Sequence, residues 1–268
     1  MEASERRVAV VGDDGRTSEL RAAVRDAGGR LATPTDASGE ANGDTATISG
    51  DAPGADLLVA VGDEAVRDAV VTAPNCTVVP VADRRLAFDR DEAVEALRRL
   101  LDGSAAADPV RRVTHPVLAV DGGTDVAVRA AFDVTVVTDE PARISEFAVG
   151  FPRGQTESVR ADGIVVATPL GSDGYANAAG GPLVEPGGGL SVVPIAPFST
   201  HTDAWIATER LRLTVEREDE PIVLVVDGER RGTVEPHRPI EIETVGQVAF
   251  AAPRGCRERT DRKHSNNS

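Results

Sequence analysis

The sequence predicts an α/β fold followed by an all-β fold. In residues 1–103, short apolar strands alternate with segments of helical periodicity, which is typical of a parallel α/β domain. From Val110 onward, short apolar runs are separated by Gly, Pro and Asp turns, and this pattern predicts a β-sandwich-like domain. We therefore predict an N-terminal domain at residues 1–103, a C-terminal domain at residues 104–256 and a disordered polar tail at residues 257–268.

The strands of the N-terminal domain are predicted from apolar runs, and its helices from apolar residues at helical spacing. The first helix, residues 17–27, can be capped by Ser18 and is stopped by Gly28-Gly29. The polar segment 33–53 has almost no large apolar side chain, so we expect a surface linker there. Further helices are predicted at residues 65–71 and within 83–101, and strands at residues 7–11, 56–61 and 77–81.

The C-terminal domain is predicted to contain mainly short strands joined by turns. Asp227-Gly228 follows an apolar run and is a typical hairpin turn. The strands are predicted at residues 114–120, 125–137, 145–149, 163–168, 190–194, 210–214, 222–226 and 240–244.

A glycine-rich loop follows the strand predicted at residues 163–168. It contains Pro169, Gly171 and Gly174, and glycines allow a ligand to approach the backbone more closely than a Cβ would permit. Tyr175, the only tyrosine of the chain, lies in this loop, where its ring could stack on a base or a ribose. An ordinary β-turn with a packed tyrosine fits the spacing equally well.

The order of residues around this loop is more specific than their spacing. It reads D-G-x-x-x-x-T-P-x-G-S-x-x-Y, followed by A-G-G-P, and begins at Asp162. This block resembles the hallmark of the NAD kinase family, which phosphorylates the 2′-hydroxyl of the adenosine ribose of NAD. The resemblance implies the NAD kinase fold, in which a Rossmann-like α/β domain and a β-sandwich-like domain bind the ligand in the cleft between them.

The same family places a G-G-D-G-T signature after the second buried strand. Matched without gaps, this signature falls on Val61, Gly62, Asp63, Glu64 and Ala65. The resemblance implies that Asp63 is the catalytic general base toward the ribose hydroxyl and that Gly62 lies against the nucleotide phosphates. A structural alternative is that Gly62-Asp63 only turns the strand into a helix.

The family's other ligand positions can be carried over one at a time. Its Asn-Glu or Asn-Asp pair, which holds the ribose and adenine of NAD, falls on Phe132-Asp133, so the acidic residue is kept. Arg143 matches a basic position near the phosphates, although a solvated surface arginine is the alternative. Asn177 could also be a contact at the start of a helix. The remaining implied contacts are Arg160, Asp162, Thr168, Gly171, Ser172, Asp173, Gly174, Tyr175 and Ala178.

The composition is strongly acidic and poor in lysine. There are 44 acidic and 29 basic residues, a formal net charge of −15, and Lys263 is the only lysine. Such a charge repels nucleic acid and anionic membranes, so neither is expected as a partner. We interpret the composition as adaptation to high salt in a halophile's cytoplasm; the alternative is simply an acidic cytosolic protein. No apolar stretch reaches membrane-spanning length, and we expect a cytoplasmic protein.

Metal ligands and disulfides are not indicated by the sequence. Cys76 and Cys256 are too few and too distant for a disulfide framework, and the four histidines show no metal-binding spacing. No metal-binding residue is therefore predicted in the protein itself.

Two function hypotheses follow from the resemblance. In the first, the protein is an NAD kinase that uses ATP, NAD and Mg²⁺ or another divalent metal, and assembles as a homodimer or homotetramer. In the second, it is a catalytically impaired paralogue that binds NAD(P)(H) or another nucleotide in a regulatory role. The second is suggested by Val61, Glu64, Phe132 and Asp173, which replace the family's residues at four contact positions.

Overall fold

The computed structural model describes residues 6–12, 14–32, 54–102, 110–122, 127–140, 143–199, 202–218 and 220–254. The predicted linker at 33–53, the segment 103–109 between the predicted domains and the predicted tail at 257–268 lie outside these ranges. Among the described residues, no helix is both long and apolar enough to cross a membrane.

The N-terminal part of the chain is a parallel sheet between two layers of helices. Its elements are β1 (Arg7–Gly12), α1 (Asp14–Asp26), β2 (Arg30–Leu31), β3 (Leu57–Val61), α2 (Asp63–Thr72), β4 (Thr77–Val81) and α3 (Arg90–Asp102). The strands lie in the order β2, β1, β3, β4, and every neighbouring pair is parallel. This arrangement confirms the predicted α/β class.

Apolar side chains hold the helices on opposite faces of this sheet. Leu20 of α1 and Leu97 of α3 share one buried cluster with Val59 of β3. Val66 and Val70 of α2 are buried against the other face. Each helix thus buries the apolar stripe that its sequence periodicity predicted.

The first helix differs from its prediction at the N-terminus. It begins at Asp14 rather than at residue 17, so Ser18 lies inside the helix and does not cap it. The first turn, Asp-Gly-Arg, is polar, and the apolar periodicity on which the prediction rested could not reveal it. The predicted stop at Gly28-Gly29 is confirmed, because the Gly29 N–H donates to the Val24 carbonyl at 2.9 Å after the last turn.

The C-terminal part consists of strands and one short helix. These are β5 (Val110–Asp121), β6 (Val128–Ala130), β7 (Asp133–Thr138), β8 (Ser145–Gly150), β9 (Thr156–Ala161), β10 (Gly163–Ala167), α4 (Tyr175–Ala178), β11 (Leu190–Ile195), β12 (Trp205–Ala207), β13 (Arg210–Arg217), β14 (Ile222–Val226), β15 (Glu229–Val234) and β16 (Ile240–Pro253).

Two sheets face each other in this part and enclose one apolar core. Six strands in the order β12, β11, β10, β7, β14, β15 form an antiparallel sheet. Side chains of this sheet, such as Ile164 and Val136, share a cluster with Phe147 of β8 and Leu213 of β13 in the other sheet. The packing confirms the predicted sandwich-like class.

Strand β16 joins the two parts of the chain. It pairs antiparallel with β13 at its start and with β5 along its length, and Phe250 pairs in parallel with Val78 of β4. One ten-stranded sheet therefore contains strands from both predicted domains, while the boundary at residues 103 and 104 stays a prediction. Only residues 240–244 were predicted as strand, because small residues and Gly246 interrupt the apolar alternation afterwards.

The single strand predicted at residues 125–137 is wrong. The chain leaves β6, which pairs with β5, turns at Ala131-Phe132, and enters β7 in the opposite sheet. Residues 123–126 lie outside the described part. Apolar alternation continues through the turn, so the sequence pattern gave no sign of the change of sheet.

His115 of β5 is buried beneath this turn. Its ring stacks on Phe250 with centroids 5.2 Å apart, and Nε2 lies 3.0 Å from the Ala131 carbonyl oxygen, to which a protonated Nε2 donates. Burial lowers the pKa of His115 to about 4. The folded protein therefore holds a neutral imidazole at neutral pH, as a structural group.

We predict that His115 makes the fold sensitive to acid. Because its pKa is about 4 when folded and 6.5 when exposed, the unfolded chain binds the proton more readily, and stability falls as pH drops from 6.5 toward 4. The full loss is about 3 kcal/mol. Denaturant unfolding at several pH values should show a flatter profile for His115→Phe, which keeps the stacked ring. An equally steep profile would contradict this role.

Candidate active site

Five segments from both parts of the chain meet at the carboxyl ends of strands β3 and β4. Hydrogen bonds join them directly: Arg84 to Asp63, the Arg85 N–H to Asp173, and Thr168 to the Ala131 carbonyl. The segments are the β3–α2 junction, the turn after β4, the turn between β6 and β7, the loop after β10, and the hairpin between β14 and β15. The carboxyl ends of parallel strands are where α/β folds bind ligands.

Asp63 is held at the start of helix α2. Gly62 precedes it with φ of 91°, a backbone conformation that favours glycine, and its N–H donates to the Val81 carbonyl at 2.8 Å. The Asp63 side chain is 57% exposed. Both of its oxygens accept hydrogen bonds from Arg84, Oδ1 from Nε at 3.1 Å and Oδ2 from Nη2 at 2.9 Å.

Arg84 lies between the two parts of the chain. Its guanidinium carbon is 3.6 Å from the ring centroid of Phe132, and Nη1 is 4.0 Å from Oδ1 of Asp173. The side chain is 15% exposed, much less than that of Asp63. Arg84 therefore connects the proposed base with the turn and the loop of the C-terminal part.

The turn between β6 and β7 is held by one carboxylate. Asp227 accepts three backbone N–H bonds, from Ala131 at 2.8 Å, Phe132 at 2.7 Å and Asp133 at 3.0 Å. It occupies the first position of the predicted hairpin turn, with φ of 50°, and Gly228 follows with φ of 80°. Two residues of positive φ between paired strands match a type I′ turn.

Asp133 is a carboxylate in an unfavourable environment. Burial, and then the nearby charge of Asp227, raise the pKa of Asp133 to about 6, whereas Arg84 acts in the opposite direction. Burial also raises the pKa of Asp227, against the effect of its three backbone donors. Two carboxylates beside one arginine form a polar site that a ligand with hydroxyl or amine donors would satisfy.

The loop after β10 is fixed by the two hydroxyls of its motif. Thr168 Oγ1 donates to the Ala131 carbonyl at 2.8 Å, and Ser172 Oγ donates to the Pro169 carbonyl at 2.8 Å while accepting the Val184 N–H. Both side chains are fully buried. At Gly171 a Cβ would stand 2.1 Å from the Phe132 carbonyl oxygen, so only glycine allows this contact. The predicted ligand roles of Thr168 and Ser172 stay predictions.

The end of the loop presents its residues to solvent. Tyr175 at the start of α4 is 46% exposed, and Asn177 and Ala178 are also exposed. Asn177 Nδ2 donates to the Gly181 carbonyl at 3.2 Å, which is a contact beyond the end of the helix. The Tyr175 ring is therefore accessible for stacking, and the roles of these three residues stay predictions.

Three other residues with predicted ligand roles lie at the end of the antiparallel sheet that is opposite to Asp133: Arg143, Arg160 and Asp162. Asp133 pairs with Ala167, whereas Val137 pairs with Gly163, next to Asp162. The four steps between these pairs span about 13 Å. Arg160 stacks on Phe198 near Asp162. Arg143 contacts Glu140 and Glu220 on an exposed surface, which agrees with the alternative of a solvated surface arginine.

The four residues that replace the family's contacts all have structural surroundings of their own. Val61 is buried in the core with Leu20. Glu64 is exposed, and its oxygen lies 4.0 Å from Arg67. Phe132 is buried beneath Arg84, and Asp173 accepts the Arg85 N–H at 2.6 Å. None of these contacts gives evidence of an impaired site.

Arg84 was not predicted from the sequence as a site residue, and Asp227 was predicted only as a turn residue. Arg84 follows strand β4, and the strand-end rule for parallel sheets could have indicated it. The role of Asp227 depends on contacts more than 90 residues apart in the chain, which no local pattern reveals. Arg67 of α2, which pairs with Glu229 of the hairpin, is a similar case.

No group of three or more His, Cys, Asp or Glu side chains in the described ranges could hold a metal ion. The site offers two carboxylates, Asp63 and Asp133. Mg²⁺ characteristically uses one or two carboxylates together with substrate phosphates. The residues present therefore fit a metal that arrives with a nucleotide.

Solved structures of similar shape identify the fold. A crystal structure of an NAD kinase from Archaeoglobus fulgidus in complex with ATP matches with a TM-score of 0.65 at 22% identity, covering 93% of this chain and 94% of that one. A yeast NADH kinase complexed with NADH matches with a TM-score of 0.67 at 17% identity, covering 94% and 84%. The fold is that of the NAD kinases.

Sequence comparisons also find NAD kinases. The ATP-NAD kinase C-terminal domain matches residues 133–250. A Methanosarcina acetivorans NAD kinase is 27% identical over 199 residues, 71% of this chain and 70% of that protein. A bifunctional NADP phosphatase/NAD kinase from Methanocaldococcus jannaschii is 33% identical over 144 residues, 53% of this chain. The chain is thus similar in sequence to NAD kinases.

The extent of these matches varies. The matched part of the chain spans 25% of the Methanocaldococcus jannaschii protein. It spans 43% of an NAD kinase from Methanoculleus marisnigri that is 39% identical over 118 residues. The match to the ATP-NAD kinase C-terminal domain includes the glycine-rich loop and the hairpin.

We predict that Asp133 weakens the fold at neutral pH. Its folded pKa of about 6 exceeds the ordinary 3.8, so ionisation is unfavourable in the folded state, and this cost grows as pH rises from 3.8 through 6. Asp133→Asn should therefore stabilise the protein by about 1–3 kcal/mol above pH 6 and by much less near pH 4. Thermal unfolding at both pH values measures the difference.

The matched control is Asp139→Asn at the other end of β7. Asp139 is exposed and paired with Arg230, which lowers its pKa, so its removal should bring no gain. A gain at Asp139 equal to that at Asp133 would show that general charge reduction, and not burial, is responsible.

Proposed function

We propose that the protein transfers the γ-phosphoryl group of ATP to the 2′-hydroxyl of the adenosine ribose of NAD, giving NADP and ADP. The observation that carries this proposal is the meeting of Asp63, an exposed carboxylate at the start of α2, with the turn of Asp133 and the loop after β10. A base and a polar surface for a ribose thus come from different parts of the chain. The match of residues 133–250 to the ATP-NAD kinase C-terminal domain supports the same reaction.

In the proposed reaction Asp63 accepts the proton of the 2′-hydroxyl. The hydroxyl oxygen forms a bond to the γ-phosphorus, the bond from that phosphorus to its bridging oxygen breaks, and ADP leaves with the electron pair. Asp133 accepts hydrogen bonds from the ribose or the adenine, and the exposed ring of Tyr175 offers a face for stacking. Catalysis in this class of reaction consists mainly of positioning and charge neutralisation.

Other parts of the site are proposed as contacts with NAD or ATP. The backbone at Gly62, Gly171 and Gly174 can approach the dinucleotide closely, with Asp173, Asn177 and Ala178 beside it. Arg143, Arg160 and Asp162 are proposed for a more distant part of the dinucleotide, since the sheet places them at its other end. Mg²⁺ or another divalent metal, bound through the ATP phosphates, would neutralise phosphate charge during transfer.

The impaired paralogue is the less favoured reading. Val61, Glu64, Phe132 and Asp173 suggested it, but their side chains are packed in the core, turned to solvent or engaged with the protein backbone. They leave Asp63 accessible, and the Methanosarcina acetivorans and Archaeoglobus fulgidus relatives are named NAD kinases.

We further propose a cytoplasmic protein that is adapted to high salt and assembles as a homodimer or homotetramer. The net charge of −15 supports the salt adaptation, because screening reduces the self-repulsion of an acidic chain. Light scattering on the protein in molar KCl would give the number of subunits.

We predict that Asp63→Asn abolishes most NADP⁺ formation from ATP, Mg²⁺ and NAD⁺. Loss of a general base costs about 10²–10⁴-fold in rate, whereas NAD⁺ affinity should stay within about threefold because the dinucleotide contacts remain. Turnover in molar KCl and NAD⁺ binding by calorimetry are the measurements.

Glu64→Gln is the matched control, since Glu64 is the next residue of the helix and is exposed. It should keep turnover within about threefold, because its carboxylate is directed to solvent. Equal loss in both variants would remove Asp63 from its role. Absence of turnover in the unaltered protein, with NAD⁺ or NADP⁺ still raising its melting temperature, would favour the binding paralogue.

We also predict a strong salt requirement for folding. The melting temperature should rise by about 10 °C or more from about 0.2 M to about 3 M KCl, because the Debye length shortens from about 7 Å to about 2 Å. Differential scanning calorimetry measures this change. A melting temperature independent of KCl would contradict the proposed salt adaptation.

A further inference from the structure

The guanidinium of Arg84 lies against the carboxylate to which the acceptor hydroxyl must be hydrogen-bonded. Nε and Nη2 reach both oxygens of Asp63, at 3.1 Å and 2.9 Å. A hydroxyl within hydrogen-bond distance of Asp63 would also be within a few Å of this guanidinium, as would the phosphorus that the hydroxyl attacks. The position is therefore that of a group acting on the phosphoryl oxygens.

The surroundings of Arg84 orient one of its edges toward the substrate side. The ring of Phe132 covers one face at 3.6 Å, and Nη1 lies 3.4 Å from the Leu170 carbonyl and 4.0 Å from Asp173. The Nε and Nη2 edge faces Asp63, which is 57% exposed. A guanidinium edge with two parallel N–H groups matches two oxygens of a phosphate.

The negative charge around Arg84 would oppose phosphate binding without a cation at this position. Asp63, Asp133 and Asp173 all surround Arg84, and they would repel a phosphate if no cation stood between them. Two other nearby arginines are engaged elsewhere: Arg85 with Glu185, and Arg67 with Glu229. Arg84 thus supplies positive charge at the point where three carboxylates converge.

The contact between Arg84 and Asp63 can give way to a stronger anion. Because the Asp63 side chain is largely exposed, solvent screens the pair and its contribution is small, about 0–1 kcal/mol. A phosphate group carries more charge and can accept both N–H bonds. Arg84 can therefore leave Asp63 free to accept the hydroxyl proton when a phosphate is present.

From this geometry we propose that Arg84 binds the transferred phosphoryl group, during transfer and afterwards as the 2′-phosphate of the product. This assignment rests on the proposed NAD kinase reaction. In the free protein Arg84 is held on Asp63. In the complex its Nε and Nη2 donate to two phosphoryl oxygens, while Phe132 and Asp173 keep it in place.

The test compares NADP⁺ and NAD⁺ binding, which differ only in the phosphate concerned. Calorimetry on the full chain in the same KCl buffer would use Arg84→Gln and Arg84→Lys. Arg212→Gln is the control, because Arg212 is exposed and pairs with Glu241 of β16. Arg84→Gln should lower NADP⁺ affinity about 10- to 100-fold and NAD⁺ affinity less than threefold. Arg84→Lys should recover part of the loss, and Arg212→Gln should change neither affinity.

A purely structural role for Arg84 gives a different result. The two affinities would then fall by the same factor, together with the melting temperature, or neither would change, and either outcome overturns the proposal. Arg84→Lys removes the bidentate contact but keeps the positive charge. A structural role does not predict partial recovery of NADP⁺ affinity in this variant. The Arg84→Lys result therefore also decides the question if Arg84→Gln folds poorly.

The binding test is independent of turnover, so its failure and that of the proposed reaction can be told apart. Selective loss of NADP⁺ affinity in a protein that forms no NADP⁺ would support the phosphate contact and overturn the kinase activity. Full turnover in the unaltered protein with unselective loss in Arg84→Gln would do the reverse. Where turnover is present, Arg84→Gln should lower kcat at least 100-fold with the KM for NAD⁺ within about threefold.

Discussion

The carboxylate of Asp227 is the constraint on which the candidate site depends. It accepts three backbone N–H bonds from the turn Ala131 to Asp133, which carries the Phe132 ring and the Asp133 carboxylate. Arg84 then rests on that ring and reaches Asp63, while Thr168 and Gly171 pack on the turn from the other side. One side chain thus holds together the hairpin, the turn, the loop and the helix of the proposed base.

The sequence predicted local features of the fold well and contacts between distant residues poorly. Strands β3, β4, β8, β10, β11 and β14 and the hairpin turn at Asp227-Gly228 are confirmed, because apolar runs and turn residues are local signals. Strand β9 has three exposed positions, and β16 continues through small residues, so their pairing partners and not their own patterns make them strands. The change of sheet between β6 and β7 was missed because alternation continues across it.

In the candidate site, too, local motifs were predictable from the sequence and contacts between distant residues were not. The block from Thr168 to Tyr175 lies in the loop after β10, Asp63 begins α2, and Asp133 begins β7. The ligand and catalytic roles of these residues stay predictions. What the sequence could not show is that the Thr168 hydroxyl donates to the Ala131 carbonyl and the Ser172 hydroxyl to the Pro169 carbonyl. Nor could it show that Arg84 joins Asp63 to Phe132. Those facts depend on distances between residues far apart in the chain, and the residue types alone permit many alternatives.

The pairing of β16 also has a consequence for the order in which the protein can form. Strand β4 is the edge of the parallel sheet until β16 pairs beside it, and β16 ends at Pro253. During synthesis the N-terminal sheet therefore leaves the ribosome with an open edge and waits for almost the whole remaining chain. An exposed strand edge invites pairing with other chains, and the acidic surface of this protein opposes such encounters during that interval.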